Sequence, residues 1–136
     1  MKPTWRILVP DEANGVDVAM NSMPDMVPTI AAIAPFASSG TRIRQVGFIR
    51  YHESDRLRAL ATELRRLGAT VADYEDGIAI EPSHLAPATI ETYDDHRIAM
   101  SFAIVGLKLA GVKMKDPTCV SKTFPDFFVR LAELTK

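Results

Sequence analysis

Charged side chains that could bind an anion stand immediately before an apolar helix in the second half of the chain. Asp95, His96 and Arg97 are consecutive, and the apolar run at 98–109 that follows them is typical of a buried helix. Arg97 in the first helical turn opposes the helix dipole, which favours negative charge there by about 0.3 to 1 kcal/mol. Two explanations are open: Arg97 pairs with one of the two preceding aspartates, or the helix start binds an anion.

Cations occupy the same position at two other predicted helix starts, at Arg56 and Lys122. Singly, each has an ordinary explanation as a solvated or locally paired charge. If the helices run side by side, their starts would gather these cations with the nearby acids and a histidine, namely Asp25, Glu53, Asp95 and His96. The pattern favours a site for a small phosphate or carboxylate anion, because paired arginines bind such groups bidentately. The acids there could transfer protons.

Asp25 illustrates the choice between the two kinds of explanation. It follows Pro24 at the start of an Ala- and Ile-rich segment, where an acid is a favourable charge or a cap. The same position would also place its carboxylate beside the predicted anion site.

Other site chemistries find no support in the sequence. There is no glycine-rich phosphate loop, no Cys/His metal spacing and no Gly-x-Ser-x-Gly elbow. The histidines at 52, 84 and 96 do not form the pattern of a nucleophilic triad. We therefore expect neither a metal nor a cofactor.

Composition restricts the class of protein further. The 136 residues are 47% hydrophobic and 24% charged, which is an ordinary globular composition. A net charge of −1 gives no electrostatic case for nucleic acid or an anionic membrane. The single cysteine, Cys119, cannot form an internal disulfide, and no signal peptide or membrane span is visible. We expect a cytoplasmic protein.

The elements that position these residues alternate between strands and helices. We predict strands at 5–10, 16–20, 41–49 and 111–115, helices at 24–37, 54–67, 98–109 and 120–134, and a hairpin of 69–74 and 77–81. Ser54 is the predicted N-cap of the second helix and Gly68 its end, while Thr123 is a candidate cap for the last. Pro28 and Pro35 should shorten or kink the first helix. The order indicates a repeated α/β unit.

Four blocks of the sequence carry a family resemblance: Met23-Pro24-Asp25, Glu53-Ser54-Asp55-Arg56-Leu57 with Thr62-Glu63-Leu64, Tyr93 with Asp95-His96-Arg97-Ile98-Ala99-Met100, and Ser121-Lys122-Thr123-Phe124-Pro125-Asp126. They resemble the C-terminal part of the 5-enolpyruvylshikimate-3-phosphate synthase family. The resemblance implies an α/β fold of about two βαβαββ units, with parallel helices covered by mixed sheets. Residues 1–136 would be a single partial domain, the final third of the family's chain.

The resemblance also implies a reaction and its residues. The family transfers the enolpyruvyl group of phosphoenolpyruvate to the 5-hydroxyl of shikimate 3-phosphate and releases phosphate. Carried over by position, Asp25 is the base for the hydroxyl and holds the shikimate ring, and Glu53 handles the proton at the methylene carbon. Phosphoenolpyruvate would be bound by Arg56, Arg97 and Lys122, shikimate 3-phosphate by Asp25 and His52, with Asp95 and His96 in support.

Two departures from the family limit what the chain does alone. His52 stands where the family usually has lysine, so this contact to shikimate 3-phosphate becomes weaker or pH-dependent. The family's N-terminal lysine, serines and a further arginine lie upstream of the resemblance, so the isolated chain is expected to be inactive. The alternatives are a non-catalytic anion-binding or regulatory module and a purely structural domain. Apolar surface that faces the absent part would favour self-association.

Overall fold

The structure, a computed structural model, describes residues 14–134. Its strands are β1 (Asp17–Ala19), β2 (Thr41–Arg44), β3 (Val71–Tyr74), β4 (Gly77–Ile80), β5 (Thr89–Ile90) and β6 (Lys113–Met114). Its α-helices are α1 (Val27–Ile33), α2 (Arg56–Arg66), α3 (His96–Lys108) and α4 (Phe127–Leu134), and 3₁₀ helices cover Pro24–Met26, Ala34–Phe36, Gly47–Tyr51 and Pro117–Lys122. The strand predicted at 5–10 lies outside the described residues.

The sheets show the predicted repeat of a mixed α/β fold. In the first, β1 is parallel to β2, and β4 is antiparallel to both β2 and β3, in the order β1-β2-β4-β3. In the second sheet β5 is parallel to β6, with α3 between them in the chain. The elements up to β4 therefore form one complete βαβαββ unit. Those from β5 to α4 form the first four elements of a second.

Helix α2 forms because its sequence combines an apolar stripe with a residue that caps its start and a glycine that ends it. Leu57, Leu60 and Leu64 are fully buried on one face. Gly68 follows with a φ of +98°, a left-handed conformation that glycine adopts without strain. The start differs from the prediction, because Asp55 rather than Ser54 is the N-cap.

Two hydrogen bonds explain why Asp55, and not Ser54, caps α2. The Asp55 carboxylate accepts from the Arg58 backbone N–H at 3.0 Å and so caps the helix. The Ser54 hydroxyl is instead committed to Asp95, to which it donates at 2.7 Å. The prediction that Ser54 caps α2 was therefore wrong.

The first helical segment is broken at its prolines, as the sequence predicted. A 3₁₀ helix with Pro24 as its first residue leads into α1, which spans only seven residues and has Pro28 in its first turn. A second 3₁₀ helix containing Pro35 follows directly. Proline lacks the N–H that an uninterrupted helix needs, so the segment becomes three short helical pieces.

Strand β2 ends five residues before the predicted strand does, and this prediction was too long. Gln45 has a φ of 62°, which no extended strand accommodates. The Val46 N–H then donates to the Asp76 carbonyl at 2.8 Å. The chain turns there into the 3₁₀ helix Gly47–Tyr51.

The last helix also starts later than predicted. The Asp116 carboxylate accepts from the Thr118 N–H at 3.3 Å and begins the 3₁₀ helix Pro117–Lys122 instead. Thr123 ends that 3₁₀ helix, so its predicted role as the cap of the final helix was wrong. Helix α4 begins only at Phe127.

The core joins both units. Ile43, Ile78 and Ile80 of the first sheet pack with the leucines of α2 and with Ile98 and Phe102 of α3. Helix α1 lies against α3 and α2, so the three helices run side by side. Between residues 14 and 134, none of the helices has the length and apolarity required to cross a membrane.

Candidate anion-binding site

An open cavity of about 490 Å³ lies where the starts of the helices meet. It is lined by Asp25, Tyr51, His52, Glu53, Arg56, His96 and Arg97. Six of these residues were singled out from the sequence, at positions scattered over more than seventy residues of the chain. The structure brings them together because α1, α2 and α3 present their N-terminal ends to the same side.

Arg56 is the buried centre of the site. Its Nε donates to Asp95 Oδ2 at 2.9 Å and its Nη2 to Asp95 Oδ1 at 3.2 Å. The Arg56 side chain is only 3% exposed and that of Asp95 is fully buried. This bidentate pair fixes the guanidinium plane, so that the remaining nitrogen, Nη1, has a defined direction toward the cavity.

Asp95 stays ionised because of its donors. Burial alone raises the pKa of this carboxyl group, but hydrogen bonds from Arg56 and Ser54, the charge of Arg56 and the Arg97 backbone N–H together hold it below its ordinary value of 3.8. The bond from the Arg97 N–H, at 3.0 Å, also makes Asp95 the N-cap of α3. One carboxylate thus joins the starts of two helices.

Asp25 bridges the two arginines on the open side of the site. Its Oδ1 lies 3.4 Å from Arg56 Nη1 and its Oδ2 lies 3.3 Å from Arg97 Nη2. The Asp25 side chain is 55% exposed and that of Arg97 is 37% exposed, so solvent reaches this pair. The arrangement shows that a carboxylate fits between the two guanidinium groups.

The charge of Arg97 is therefore offset by a distant residue. Asp95, one of the two nearby aspartates, accepts a hydrogen bond from the backbone N–H of Arg97, but its carboxylate pairs with the side chain of Arg56. The guanidinium group of Arg97 pairs instead with Asp25, which comes from the turn before α1. Of the explanations left open by the sequence, pairing of the Arg97 guanidinium group with Asp95 is therefore not the one that the structure shows.

His52 contacts the same buried arginine. Its Nδ1 lies 3.2 Å from Arg56 Nη1, and because a guanidinium group only donates, Nδ1 is the acceptor here. The ring also packs edge-on against Phe48, with 5.7 Å between the ring centroids.

Glu53 and His96 complete the lining from two directions. Glu53 follows the 3₁₀ helix Gly47–Tyr51 and is exposed, and no hydrogen bond or ion pair joins its carboxylate to another residue within 14–134. His96 is the first residue of α3. Tyr51, which is 88% exposed, also lines the cavity and was missed, because an isolated tyrosine after a strand gives no functional signal in the sequence.

Lys122 is the last residue of the 3₁₀ helix Pro117–Lys122. Its side chain is not among the parts of the chain that the structure describes. Its predicted contact with the anion therefore stays a prediction. Within the described residues, His, Cys, Asp and Glu form no group of three or more that could hold a metal ion.

A second buried charge was also missed by sequence reasoning. Glu63 on α2 is fully buried, and it accepts from the Tyr93 hydroxyl at 2.7 Å, the Glu91 N–H at 2.9 Å and Arg66 Nε at 2.8 Å. Burial, then the bond to Glu63, raises the pKa of Tyr93 to about 12. This cluster ties α2 to the turn that precedes α3. Its signal in the sequence was spacing: Glu63 lies one turn from both Leu60 and Leu67 of the apolar stripe.

Fold and cavity together define a mixed α/β protein that presents two arginines and several acids from converging helix starts, a class suited to binding a small anion. The family model for EPSP synthase (3-phosphoshikimate 1-carboxyvinyltransferase) matches residues 2–131. The chain therefore belongs to the EPSP synthase family.

Individual relatives agree with this assignment. A 3-phosphoshikimate 1-carboxyvinyltransferase of Nostoc sp. is 52% identical over 128 residues, which are 94% of this chain and 30% of the relative. One from Vibrio cholerae is 51% identical over 126 residues, or 92% of this chain and 30% of the relative. The chain thus spans about 30% of the length of the curated relatives it matches.

A solved structure shows the same fold. The EPSP synthase of Acinetobacter baumannii superposes with a TM-score of 0.81 at 30% sequence identity, over 90% of this chain and 30% of that one. The similarity therefore extends from the motifs to the path of the backbone through nearly all of the chain.

Proposed function

We propose that this chain supplies part of the site that transfers the enolpyruvyl group of phosphoenolpyruvate to the 5-hydroxyl of shikimate 3-phosphate, with release of phosphate. One observation carries the proposal: Arg56 and Arg97 converge on a single carboxylate, that of Asp25, at a cavity that also holds Glu53 and His52. The names of the relatives, which are 3-phosphoshikimate 1-carboxyvinyltransferases, supply the reaction.

The arginines would hold phosphoenolpyruvate through its carboxylate or phosphate. Asp95 occupies Nε and Nη2 of Arg56, so Nη1 is the nitrogen that faces the ligand. Asp25, whose side chain is 55% exposed, contacts both guanidinium groups at more than 3.2 Å, and a ligand anion would displace its carboxylate from them. We assign Lys122 to the same anion from the family motif.

The acids would then move the protons of the reaction. Asp25 takes the proton of the 5-hydroxyl group while the hydroxyl oxygen bonds to the central carbon of phosphoenolpyruvate. Glu53 gives a proton to the methylene carbon. In the second step the methyl group so formed returns a proton to Glu53, the carbon–oxygen bond to phosphate breaks, phosphate leaves, and the enol ether forms. The cations stabilise the negative charge throughout. We assign His52 to shikimate 3-phosphate and His96 and Asp95 to support.

We infer that catalysis requires the part of the family's chain that this sequence does not match. The test measures phosphate release from phosphoenolpyruvate and shikimate 3-phosphate by the chain alone and by the chain joined to the N-terminal portion of a family member. We expect release only from the joined protein, with the joined Glu53→Gln variant strongly impaired. Turnover by the isolated chain would overturn the requirement, and no turnover by the joined protein would overturn the proposed reaction.

A non-catalytic anion-binding module is the alternative outcome of that test. An inactive joined protein whose isolated chain still binds phosphoenolpyruvate would indicate it.

We also propose that the isolated chain self-associates. On α4, Val129 is 60% exposed and Leu134 is 55% exposed, so this helix presents apolar surface to solvent. In sedimentation velocity, the weight-average sedimentation coefficient should rise with protein concentration. The Val129→Glu variant should show a smaller rise. A coefficient that is independent of concentration would contradict the proposal.

A further inference from the structure

Helix α2 carries two buried charges of opposite sign on one face. Arg56 and Glu63 lie about two helical turns apart, a spacing that returns to the same side of a helix. Arg56 binds Asp95, while Glu63 binds Tyr93 and the Glu91 backbone. The segment from Glu91 to Asp95 is therefore attached to α2 at both of its ends.

The backbone between these two attachments is in an unfavourable conformation. Tyr93 has a φ of 56° and Asp94 one of 52°, so two consecutive residues with side chains are left-handed. Such a turn persists only where surrounding contacts hold it. The Tyr93 hydroxyl bond to Glu63 is one contact, and the Thr92 hydroxyl bond to the Asp116 carbonyl, at 2.9 Å, is another.

The turn leads directly into the anion site. It is followed by Asp95, which caps α3 and orients Arg56, and then by Arg97. The turn thus connects the attachment at Glu63 to the start of α3, from which Asp95 and Arg97 reach the site. Neither Glu63 nor Tyr93 lines the cavity, so the bond between them can be removed without altering the lining.

We propose that Glu63 and Tyr93 are positioning residues for the anion site, acting through the turn at Tyr93 and Asp94. This inference deepens the proposed function, because the site that the turn positions is the proposed phosphoenolpyruvate site. A fully buried carboxylate is costly even when it is paired, and an apolar contact could replace it if stability were its only role. The Glu63 carboxylate instead collects donors from α2 and from the turn.

The direct test is Tyr93→Phe, which removes one hydroxyl group and keeps the ring. Tyr74→Phe is the matched control, since Tyr74 lies on β3 away from the turn and is 44% exposed. We expect Tyr93→Phe to weaken phosphoenolpyruvate binding by about tenfold in calorimetry, and Tyr74→Phe to leave it unchanged.

A second variant separates positioning from stability. Arg66→Ala removes a donor to Glu63 from within α2 but leaves the bonds between Glu63 and the turn. We expect it to lower the melting temperature while phosphoenolpyruvate affinity stays the same. The positioning role would be overturned if both variants lost phosphoenolpyruvate affinity in proportion to their fall in melting temperature. Unchanged affinity in Tyr93→Phe would also overturn it.

A readout without ligand keeps this inference distinct from the proposed function. The Arg97 N–H is bonded to Asp95 at 3.0 Å, so its hydrogen exchange reports the start of α3. Exchange at Arg97 should be faster in Tyr93→Phe than in Arg66→Ala. If the unaltered chain binds no phosphoenolpyruvate, the claim that this chain alone forms the anion site fails, while faster exchange still supports the positioning role. Equal exchange rates in both variants would overturn that role.

Discussion

The two ends of α2 use buried charge in different ways. At its start, Arg56 is held by Asp95 on one edge of its guanidinium group and faces a cavity with the other. Near its end, the Glu63 carboxylate is fully buried and accepts from Arg66, the Glu91 N–H and the Tyr93 hydroxyl. The difference separates two uses of a buried ion: one directs a nitrogen toward a cavity, where we propose that a ligand binds, and the other holds two segments of the chain together.

Contact lengths within the site show the same division. Arg56 holds the fully buried Asp95 at 2.9 Å, but it meets the exposed Asp25 at 3.4 Å. Buried, short and bidentate bonds set the geometry, while exposed and longer ones are weak enough for a ligand to replace. Predictions on the two ends of α2 follow, from the largest expected effect to the smallest.

The largest effect is expected where the buried pair is broken. Asp95→Ala leaves Arg56 buried without its main partner and removes the cap of α3, so unfolding free energy should fall by about 3 to 5 kcal/mol. Asp17→Ala breaks the exposed pair with Arg44 and should cost only about 0 to 1 kcal/mol. Urea denaturation of both variants measures the contrast. Similar losses of unfolding free energy in the two variants would contradict the claim that burial makes the Arg56–Asp95 pair more important for stability.

The other end of α2 should be less sensitive. Glu63→Ala leaves the Tyr93 hydroxyl and the Glu91 N–H without their acceptor, at a cost of about 1 to 3 kcal/mol in unfolding free energy. Glu133→Ala, at an exposed position of α4, serves as the control and should stay within about 0.5 kcal/mol. A loss for Glu63→Ala no greater than that of the control would contradict the enclosed network.

A smaller effect is expected from acid. The folded-state pKa of Asp95 lies below the 3.8 of an ordinary aspartate, so the unfolded state takes up the proton first as pH falls. The stabilisation is complete above that ordinary value and is lost as pH drops below it, toward the folded-state pKa. Urea denaturation between about pH 6 and pH 3 should show this decline in the unaltered protein and a shallower one in Asp95→Asn. Equal slopes would be evidence against the stated charge state.

Local patterns made much of the fold predictable. The leucine stripe and Gly68 located α2, and the Asp-Gly pair at 76 and 77 located the hairpin of β3 and β4, because both signals act between near neighbours in the chain. The end of β2 at Gln45 carried no such signal, since a left-handed residue other than glycine is set by its tertiary contacts.

The residues of the site, like the elements of the fold, were only partly predictable from the sequence. Arg56 and Arg97 could be chosen from the sequence because cations at helix starts contradict the helix dipole. Their partners could not be chosen: Arg97 pairs with Asp25 and Arg56 with Asp95, across long separations that periodicity does not encode. Glu63 was overlooked because a glutamate within a helix is ordinarily solvated, and only its place beside the apolar stripe distinguished it.

The central claim, that Arg56 and Arg97 form one anion site, is tested most directly by calorimetric titration of phosphoenolpyruvate into the unaltered chain, Arg97→Ala and Arg58→Ala. Arg58 is exposed in the first turn of the same α2 and does not line the cavity, so it controls for the loss of one positive charge. We predict binding that Arg97→Ala weakens by about tenfold or more and that Arg58→Ala leaves nearly unchanged. Equal weakening by the two variants, or no binding to the unaltered chain, would contradict the claim.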